Sequence, residues 1–386
     1  MRILHVVHDF SGVTETFVRD QVSISSQISK TVLVISRVPY RKKSVTESVE
    51  SFRFLFFFRF SFLIKILYRL GFWRQIGGVR SIQKAVQKLS PDVVHCHFGW
   101  SVPETVLALK KTRYTGRLVV SLHGTDVRRS HSWFRAYHAA FDFSECQFSV
   151  SVITPSHFLR YKAIRLMRIP SSLVHVLPNP VNEVFFSRRL PGDAAAKTSA
   201  ASLKVLSVGR LIRCKGHDLV IEAIGELRDK GLPVQMTIIG SGDLRDELDR
   251  LVRMLGLDSQ ISFIGDIAHA DIPAYYAAND VLVQASRIDT VKGQEESFGL
   301  AVAEAAVMGL PVVVSDVGGL PDTAQYASWG RVFKEDSVKE LVGALLDVRL
   351  ELVSPKTTAQ SPRRIHELSS ESFKTKLSEI YSLAND

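Results

Sequence analysis

Two glutamates and the small residues between them carry the first chemical signal in this chain. In Glu296-Ser297-Phe298-Gly299-Leu300-Ala301-Val302-Ala303-Glu304-Ala305, continued by Met308-Gly309-Leu310-Pro311, the pattern predicts a helix over Phe298–Met308. Ser297 and Gly299 open it, and Gly309 with the following proline closes it. The start of such a helix presents unpaired amides that favour an anion, most simply a phosphate. Glu304 stands about 9 Å beyond Phe298 along the axis, roughly the reach from a diphosphate to a ribose. Glu296 stands ahead of the helix, on the side where a phosphate-linked sugar would extend. Two solvated glutamates flanking an ordinary core helix are the plain alternative. The small neighbours and the apolar run Pro311–Val314 set this pair apart from it.

Two further segments read as strand-to-helix turns. In Val208-Gly209-Arg210-Leu211-Ile212-Arg213-Cys214-Lys215-Gly216-His217, Arg210 and Lys215 can clamp a diphosphate, Arg by its planar fork and Lys as a point charge. Without other signals they would be two surface cations. Ile239-Gly240-Ser241-Gly242-Asp243-Leu244-Arg245 has Arg245 where a dinucleotide fingerprint needs its third glycine. A tight turn at Gly242 beside a phosphate or base suits it better than a nicotinamide site. His95-Cys96-His97 puts two imidazoles on one strand face, a spacing able to hold a metal. No HExxH, Cys/His cluster or Asp-x-Asp accompanies them, so a packed strand end bordering the cleft is the reading, and no metal or cofactor is expected.

The elements that position these residues follow one grammar, a short β-branched run and then a helical stretch. Strands are predicted over Ile3–His8, Thr31–Ser36, Asp92–His97, Leu118–Leu122, Phe148–Ile153 and Leu173–Leu177, then over Lys204–Gly209, Val234–Ile239, Ile261–Ile264, Asp280–Val283 and Pro311–Val314. Helices are predicted over Pro103–Lys111, Pro155–Met167, Gly216–Asp229 and Asp243–Leu255. The alternation implies an α/β protein with two doubly wound, Rossmann-like parallel-sheet domains. Ligands of such sheets sit at the carboxyl ends of the strands, so two facing copies imply an interdomain cleft. The expected division is one Rossmann-like domain over 1–190, a linker over 191–202, a second Rossmann-like domain over 203–365, and a C-terminal helix within 366–386 that can cross back to the N-terminal domain.

Together the three motifs resemble the retaining glycosyltransferases of family 4, which have the GT-B fold, most closely those of bacterial exopolysaccharide and colanic-acid type. The resemblance runs over nearly the whole chain. It implies that Glu304 holds the ribose hydroxyls, that Glu296 contacts the donor sugar, and that amides near Phe298, Gly299 and Leu300 meet the phosphates beside Arg210, Lys215 and Gly242. Ser297 and Asp322 stand where the family more often has glycine and glutamate. Leu122-His123-Gly124-Thr125-Asp126 resembles the family's His-Gly-x-Asp segment, whose histidine reaches the active-site sugar. Gly12-Val13-Thr14-Glu15-Thr16-Phe17 resembles the Ser-Glu-Thr-Phe loop of exopolysaccharide enzymes. There Gly12 would let backbone approach the donor phosphates and Glu15 would bind a sugar hydroxyl, with a helix start capped by Thr14 as the alternative. The candidates are thus His123 and Glu296 for catalysis; Gly12, Arg210, Lys215, Gly242, Phe298, Gly299, Leu300 and Glu304 for the donor; and Glu15, His97 and Asp126 for the acceptor.

Charge separates the halves. The chain has 386 residues and a formal charge of +10, but residues 1–200 hold 29 basic and 12 acidic residues (+17) and the remainder 20 and 27 (−7). From Ser51 to Pro91 there are eight basic residues and no acidic one, with Phe at every even position from 52 to 62. A greasy strand and helix beneath the sheet would account for it; so would docking of 52–74 on an anionic membrane, where each cation contributes about 1 kcal/mol. The longest stretches without Asp, Glu, Lys or Arg, Cys146–Leu159 and Ile169–Asn182, are too short to span a bilayer and contain prolines. The start reads as a buried strand and not as a signal peptide. Three isolated cysteines, Cys96, Cys146 and Cys214, read as reduced thiols. The expectation is a cytoplasmic enzyme on the inner face of the cell membrane. It moves a hexose-type sugar from a UDP- or GDP-sugar to a lipid-linked or oligosaccharide acceptor for cell-surface polysaccharide. A soluble-acceptor enzyme of the same fold is the near rival. A nucleic-acid binder is the distant one, disfavoured by the acidic second half.

Overall fold

The computed structural model describes residues 1–7, 16–29, 31–36, 49–53, 78–127, 135–189, 202–290, 293–353 and 364–383. Gly12, Glu15, most of 52–74 and the linker up to residue 201 lie outside the described residues. The chain divides into two units, Met1–Pro180 with Glu371–Asp386, and Val181–Ser370.

Unit 1 is built on strands β1 (Arg2–Val7), β2 (Thr31–Ser36), β3 (Val49–Arg53), β4 (Val93–His97), β5 (Arg117–Ser121), β6 (Ser149–Thr154) and β7 (Val174–Val176). Its helices are α1 (Thr16–Ile28), α2 (Gly78–Leu89), α3 (Val102–Lys111), α4 (Arg135–Ala139) and α5 (His157–Met167). The sheet runs β3-β2-β1-β4-β5-β6-β7, and every pairing is parallel. Parallel strands are covered on both faces, which is why β4 and β5 are buried at every position.

Unit 2 opens with α6 (Glu183–Ser187), followed by β8 (Leu203–Val208), α7 (His217–Asp229), β9 (Val234–Ile239), α8 (Arg245–Met254), β10 (Ile261–Gly265) and α9 (Ile272–Ala278). Then come β11 (Val281–Gln284), α10 (Leu300–Met308), β12 (Val312–Ser315), α11 (Leu320–Ala324), β13 (Gly330–Phe333) and α12 (Val338–Val353). This sheet is also parallel, in the order β10-β9-β8-β11-β12-β13. Strand order reverses between β1 and β4 in one unit and between β8 and β11 in the other. Chains leave such a point in opposite directions and open a crevice at the carboxyl ends.

The boundary falls at Pro180/Val181 and not at 190, because Val181 N donates to Leu368 O at 2.8 Å and Phe185 is fully buried in the unit 2 core. The last helix, α13 (Ser370–Ser382), belongs with unit 1. Its apolar row Phe373, Leu377, Ile380 and Tyr381 packs among Ile3, Ile24, Val93, Val119 and Ile153. The sequence pattern missed β3 and β13, short edge strands of which β13 is largely exposed. Phe298 lies ahead of α10 and not within it. Gly299 takes a left-handed φ of 85°, and the Phe298 side chain turns into the core.

Candidate functional site

In unit 2 the candidate donor residues gather at the switch point. Gly216 has φ 67°, and a Cβ there would lie 1.8 Å from Ala285 O, just past the end of β11. The Lys215–Gly216 turn therefore sits against the carboxyl edge of the sheet, where no other residue fits. Lys215 Nζ forms an ion pair with Glu296 Oε2, with only 20% and 16% of the side chains exposed. The backbone of Glu296 is held from below: Gly319 N donates to Glu296 O at 2.9 Å, and a Cβ on Gly318 would lie 1.9 Å from that oxygen. The Gly318-Gly319 turn is thus required by close packing.

The Arg210 loop is braced from two sides. Leu211 N donates to Ser241 O (2.7 Å) and Leu244 N to Leu211 O (3.0 Å), zipping it to the Gly240–Leu244 turn. A Cβ on Gly242 would approach Leu211 O to 2.5 Å, so this glycine is demanded by the neighbouring loop as well as by any ligand. From inside, His217 Nε2 donates to Arg210 O (3.2 Å) and Nδ1 accepts from Ser207 Oγ (3.0 Å). A carbonyl only accepts, so the proton sits on Nε2. Burial lowers the His217 pKa to about 4, which keeps the ring neutral and this arrangement intact at ordinary pH.

Glu304 lies on the first turns of α10 and is 4% exposed. Tyr276 Oη donates to its Oε2 at 2.9 Å, and His269 Nε2 donates to Oε1 at 3.0 Å. Burial, reinforced by the carboxylate, raises the Tyr276 pKa far enough to keep the phenol a donor. The first helical bonds run from Val302 and Ala303 to Gly299 O, so the amides of Leu300 and Ala301 lie at the open end of α10. Cation, carboxylates and helix amides together suit a phosphate joined to a hydroxyl-rich group. His217, Tyr276 and His269 were not singled out in the sequence. Lys-Gly-His after a strand was the one local hint for His217.

In unit 1, His97, His123 and Asp126 come together, but not as acceptor contacts all three. Asp126 is fully buried, and its carboxylate accepts from Gly99 N (2.8 Å), His123 N (3.0 Å) and Gly124 N (2.8 Å). Burial raises its pKa against the opposing pull of these donors. The acceptor role expected for Asp126 therefore gives way to a positioning role, joining the turn after β5 to the turn after β4. His97 is 0% exposed and cannot border an acceptor; its Nε2 pairs with His5 Nδ1 at 2.9 Å.

These rings belong to a buried group that the sequence pattern only half revealed. His5 on β1 joins His95 and His97 on β4. His95 Nδ1 pairs with Tyr381 Oη of α13 (2.7 Å) and Nε2 with Ser121 Oγ (2.8 Å). The rings stack, with 21° between His95 and His97, 26° between His5 and His97, and 3° between His97 and His123. Ligand nitrogens of His5, His95 and His97 lie within 4.8 Å of one another. His5 and His95 are tilted by 37°, so the three rings are not one parallel stack. Burial lowers His5 and His123 to about 3; it also holds His95 and His97 well below the usual range, helped by the neighbouring imidazoles.

Comparison with known proteins places this architecture. A family model described as glycosyl transferases group 1 matches residues 195–351, and one described as glycosyltransferase family 4 matches 49–184. A GDP-mannose-dependent alpha-(1-6)-phosphatidylinositol monomannoside mannosyltransferase of Mycobacterium tuberculosis is 25% identical over 67% of this chain and 68% of its own length. The amylovoran biosynthesis glycosyltransferase AmsK of Erwinia amylovora is 27% identical over 66% of this chain and 60% of its own. The chain thus spans about three fifths to two thirds of these relatives. Anabaena HepE, solved with UDP, superposes with a TM-score of 0.76 at 19% identity, covering 99% of this chain and 100% of that one. The fold is GT-B, and two glycosyltransferase family models match its successive parts, each over less than half of the chain.

Proposed function

We propose that the chain is a retaining, metal-independent glycosyltransferase that moves a hexose-type sugar from a UDP- or GDP-sugar to a lipid-linked or oligosaccharide acceptor in cell-surface polysaccharide synthesis. The observation that carries this reading is the Lys215–Glu296 pair, braced by Gly216 and Gly318 in front of the open end of α10. Lys215, Arg210 and the amides of Leu300 and Ala301 stabilise the diphosphate as its bond to the anomeric carbon breaks. Glu304, already aligned by Tyr276, binds the ribose hydroxyls. Glu296 is held by Lys215 and orients the donor sugar. Retention follows if the acceptor hydroxyl attacks from the face the diphosphate leaves. The new glycosidic C–O bond forms as the C–O bond to phosphate breaks, and the hydroxyl proton passes to a departing phosphate oxygen. His123, neutral at ordinary pH, serves as a hydrogen-bonding ring for the sugar and not as an acid.

The acceptor side is assigned to unit 1, whose basic residues and 52–74 segment suit an anionic membrane surface and support a location on the inner face of the cell membrane. Among the described residues no helix is long and apolar enough to cross a membrane. The test is a thermal-stabilisation screen of sugar nucleotides, followed by transfer to prenyl-diphosphate-linked sugars with and without EDTA and NMR of the product anomer. Absence of any sugar-nucleotide stabilisation sinks the donor reading; an inverted anomer or loss of activity in EDTA sinks the mechanism. Full activity on soluble sugars alone favours the soluble-acceptor enzyme.

A further inference from the structure

Helix α5 presents a cationic, aromatic surface. Between Glu145 and Glu183 the chain holds no acidic residue, while Arg160, Lys162, Arg165 and Arg168 fall within it. The inner row Leu159, Ala163 and Met167 is buried against the sheet. The outer row His157, Tyr161 and Arg165, at a spacing of four residues, is exposed, as is Arg168 at the left-handed C-cap. Tyr161 is 57% exposed. Half-buried Phe158, Ile164 and Leu166 flank the row.

The cations divide by use. Arg160 is committed to the fold, donating from Nε to Val174 O (3.1 Å) and from Nη2 to Ser171 O (3.2 Å). Arg165 lies over the Tyr161 ring at 5.4 Å and Lys162 over Phe158 at 5.4 Å, so ring and charge face outward together. Arg165 and Arg168 have no carboxylate partner among the described residues. A solvated helix of a soluble protein commonly offsets such cations with i,i+4 acids; here Arg165 and Arg168 stand beside the exposed Tyr161 ring instead.

We infer that the outer face of α5 is a docking surface for an anionic lipid bilayer. Tyr161 and Phe158 sit at headgroup depth, and Lys162, Arg165 and Arg168 meet the lipid phosphates. Aromatic rings alternating with cations on one helix face are what the polar–apolar boundary of a bilayer accommodates. The inference rests on the membrane reading of unit 1 but assigns the contact to a different element from 52–74.

The full chain is floated with vesicles of phosphatidylcholine, with and without phosphatidylglycerol. The expected result is binding to the anionic vesicles that weakens with added salt. It falls by about tenfold or more in a Tyr161→Ala/Arg165→Glu/Arg168→Glu variant, since each cation contributes about fivefold. Arg250→Glu/Arg253→Glu on α8, a comparable charge change on the other unit, leaves binding unchanged. All these positions are exposed, and an unshifted melting temperature verifies that the variants fold. Wild-type binding by the α5 variant, with loss when Phe54–Phe60 are made polar, overturns the α5 inference and keeps the membrane reading. No preference of the wild type for anionic vesicles removes both, while sugar-nucleotide stabilisation independently reports on the enzyme reading. Salt-sensitive binding to an oligonucleotide that the α5 variant loses, with vesicle binding retained, assigns the face to nucleic acid and overturns the lipid assignment.

Discussion

At the carboxyl edge of the β8–β13 sheet the candidate side chains are charged and matched: Lys215 with Glu296, and Glu304 with Tyr276 and His269. At the corresponding edge of the β1–β7 sheet they are neutral imidazoles, His97 buried and His123 half-buried beside it, with one carboxylate, Asp126, committed to backbone amides. Both edges lie at the reversal of strand order in the same topology, yet one is built to meet a charge and the other to exclude it. The fold supplies the location of a site; the polarity of a few buried groups decides what the location can bind.

The largest expected effect tests the neutrality of unit 1. A histidine whose pKa is lowered on folding adds stability above its unfolded pKa of 6.5, and that stability is lost as pH falls from 6.5 toward the folded value, because the unfolded chain takes up the proton first. For His5, with a folded value of about 3, the loss by pH ~5 is about 2 kcal/mol, and His95, His97 and His123 act in the same direction. Hydrogen-exchange protection factors, referenced to the intrinsic rate at each pH, should fall between pH ~7 and ~5 in β1, β4 and β5 well before β8, β11 and β12, where His217 is the one comparably buried imidazole among the described residues. Equal loss of protection in both sheets would break the comparison.

Next is the charged edge. Lys215→Ala leaves the Glu296 carboxylate without its ion-pair partner and removes the nearest cation for a diphosphate. Nucleotide affinity by calorimetry should fall about 100-fold, an effect of about 3 kcal/mol. A change under threefold would show that the pair is structural only.

Asp126→Asn replaces an all-acceptor group with one that sets an amide against backbone donors. Turnover should fall about tenfold with nucleotide affinity unchanged, since the variant disturbs the His123 turn and not the donor edge. Loss of both together would deny the separation of roles. The smallest effect is Tyr276→Phe, which removes one of the two hydrogen bonds on Glu304. Nucleoside diphosphate affinity should drop about five- to tenfold, roughly 1 kcal/mol, with turnover at saturation preserved. An unchanged affinity would mean that His269 alone aligns the carboxylate.

Much of this was readable in the sequence because it depends on neighbours along the chain. Parallel strands between helices leave continuous β-branched runs, and Ser156, read as part of a helix start, does cap α5 by accepting from Leu159 N at 3.2 Å. The glycines at 216, 299 and 318 marked turns whose left-handed φ values of 67°, 85° and 64° no β-carbon tolerates easily. The short edge strands β3 and β13 were not readable; β13 is largely exposed and lacks that hydrophobic signature. The partner of each charged group was equally hidden: Lys215 and Glu296 are 81 positions apart, and Tyr276 and Glu304 are 28.

By itself the sequence determined the α/β alternation, the segregation of charge into a basic first half and an acidic second, and the motif spacings that resemble one family. These are local properties, set by side-chain size, backbone freedom and helical rise. Only the tertiary structure decided that Asp126 serves the backbone, that His97 is closed off beside His5, and that the last helix returns to unit 1. Tyr381 meets His95 across 286 positions. Burial is a property of everything packed around a group, and whether a carboxylate or imidazole faces a ligand or the interior depends on residues that no local pattern brings near it.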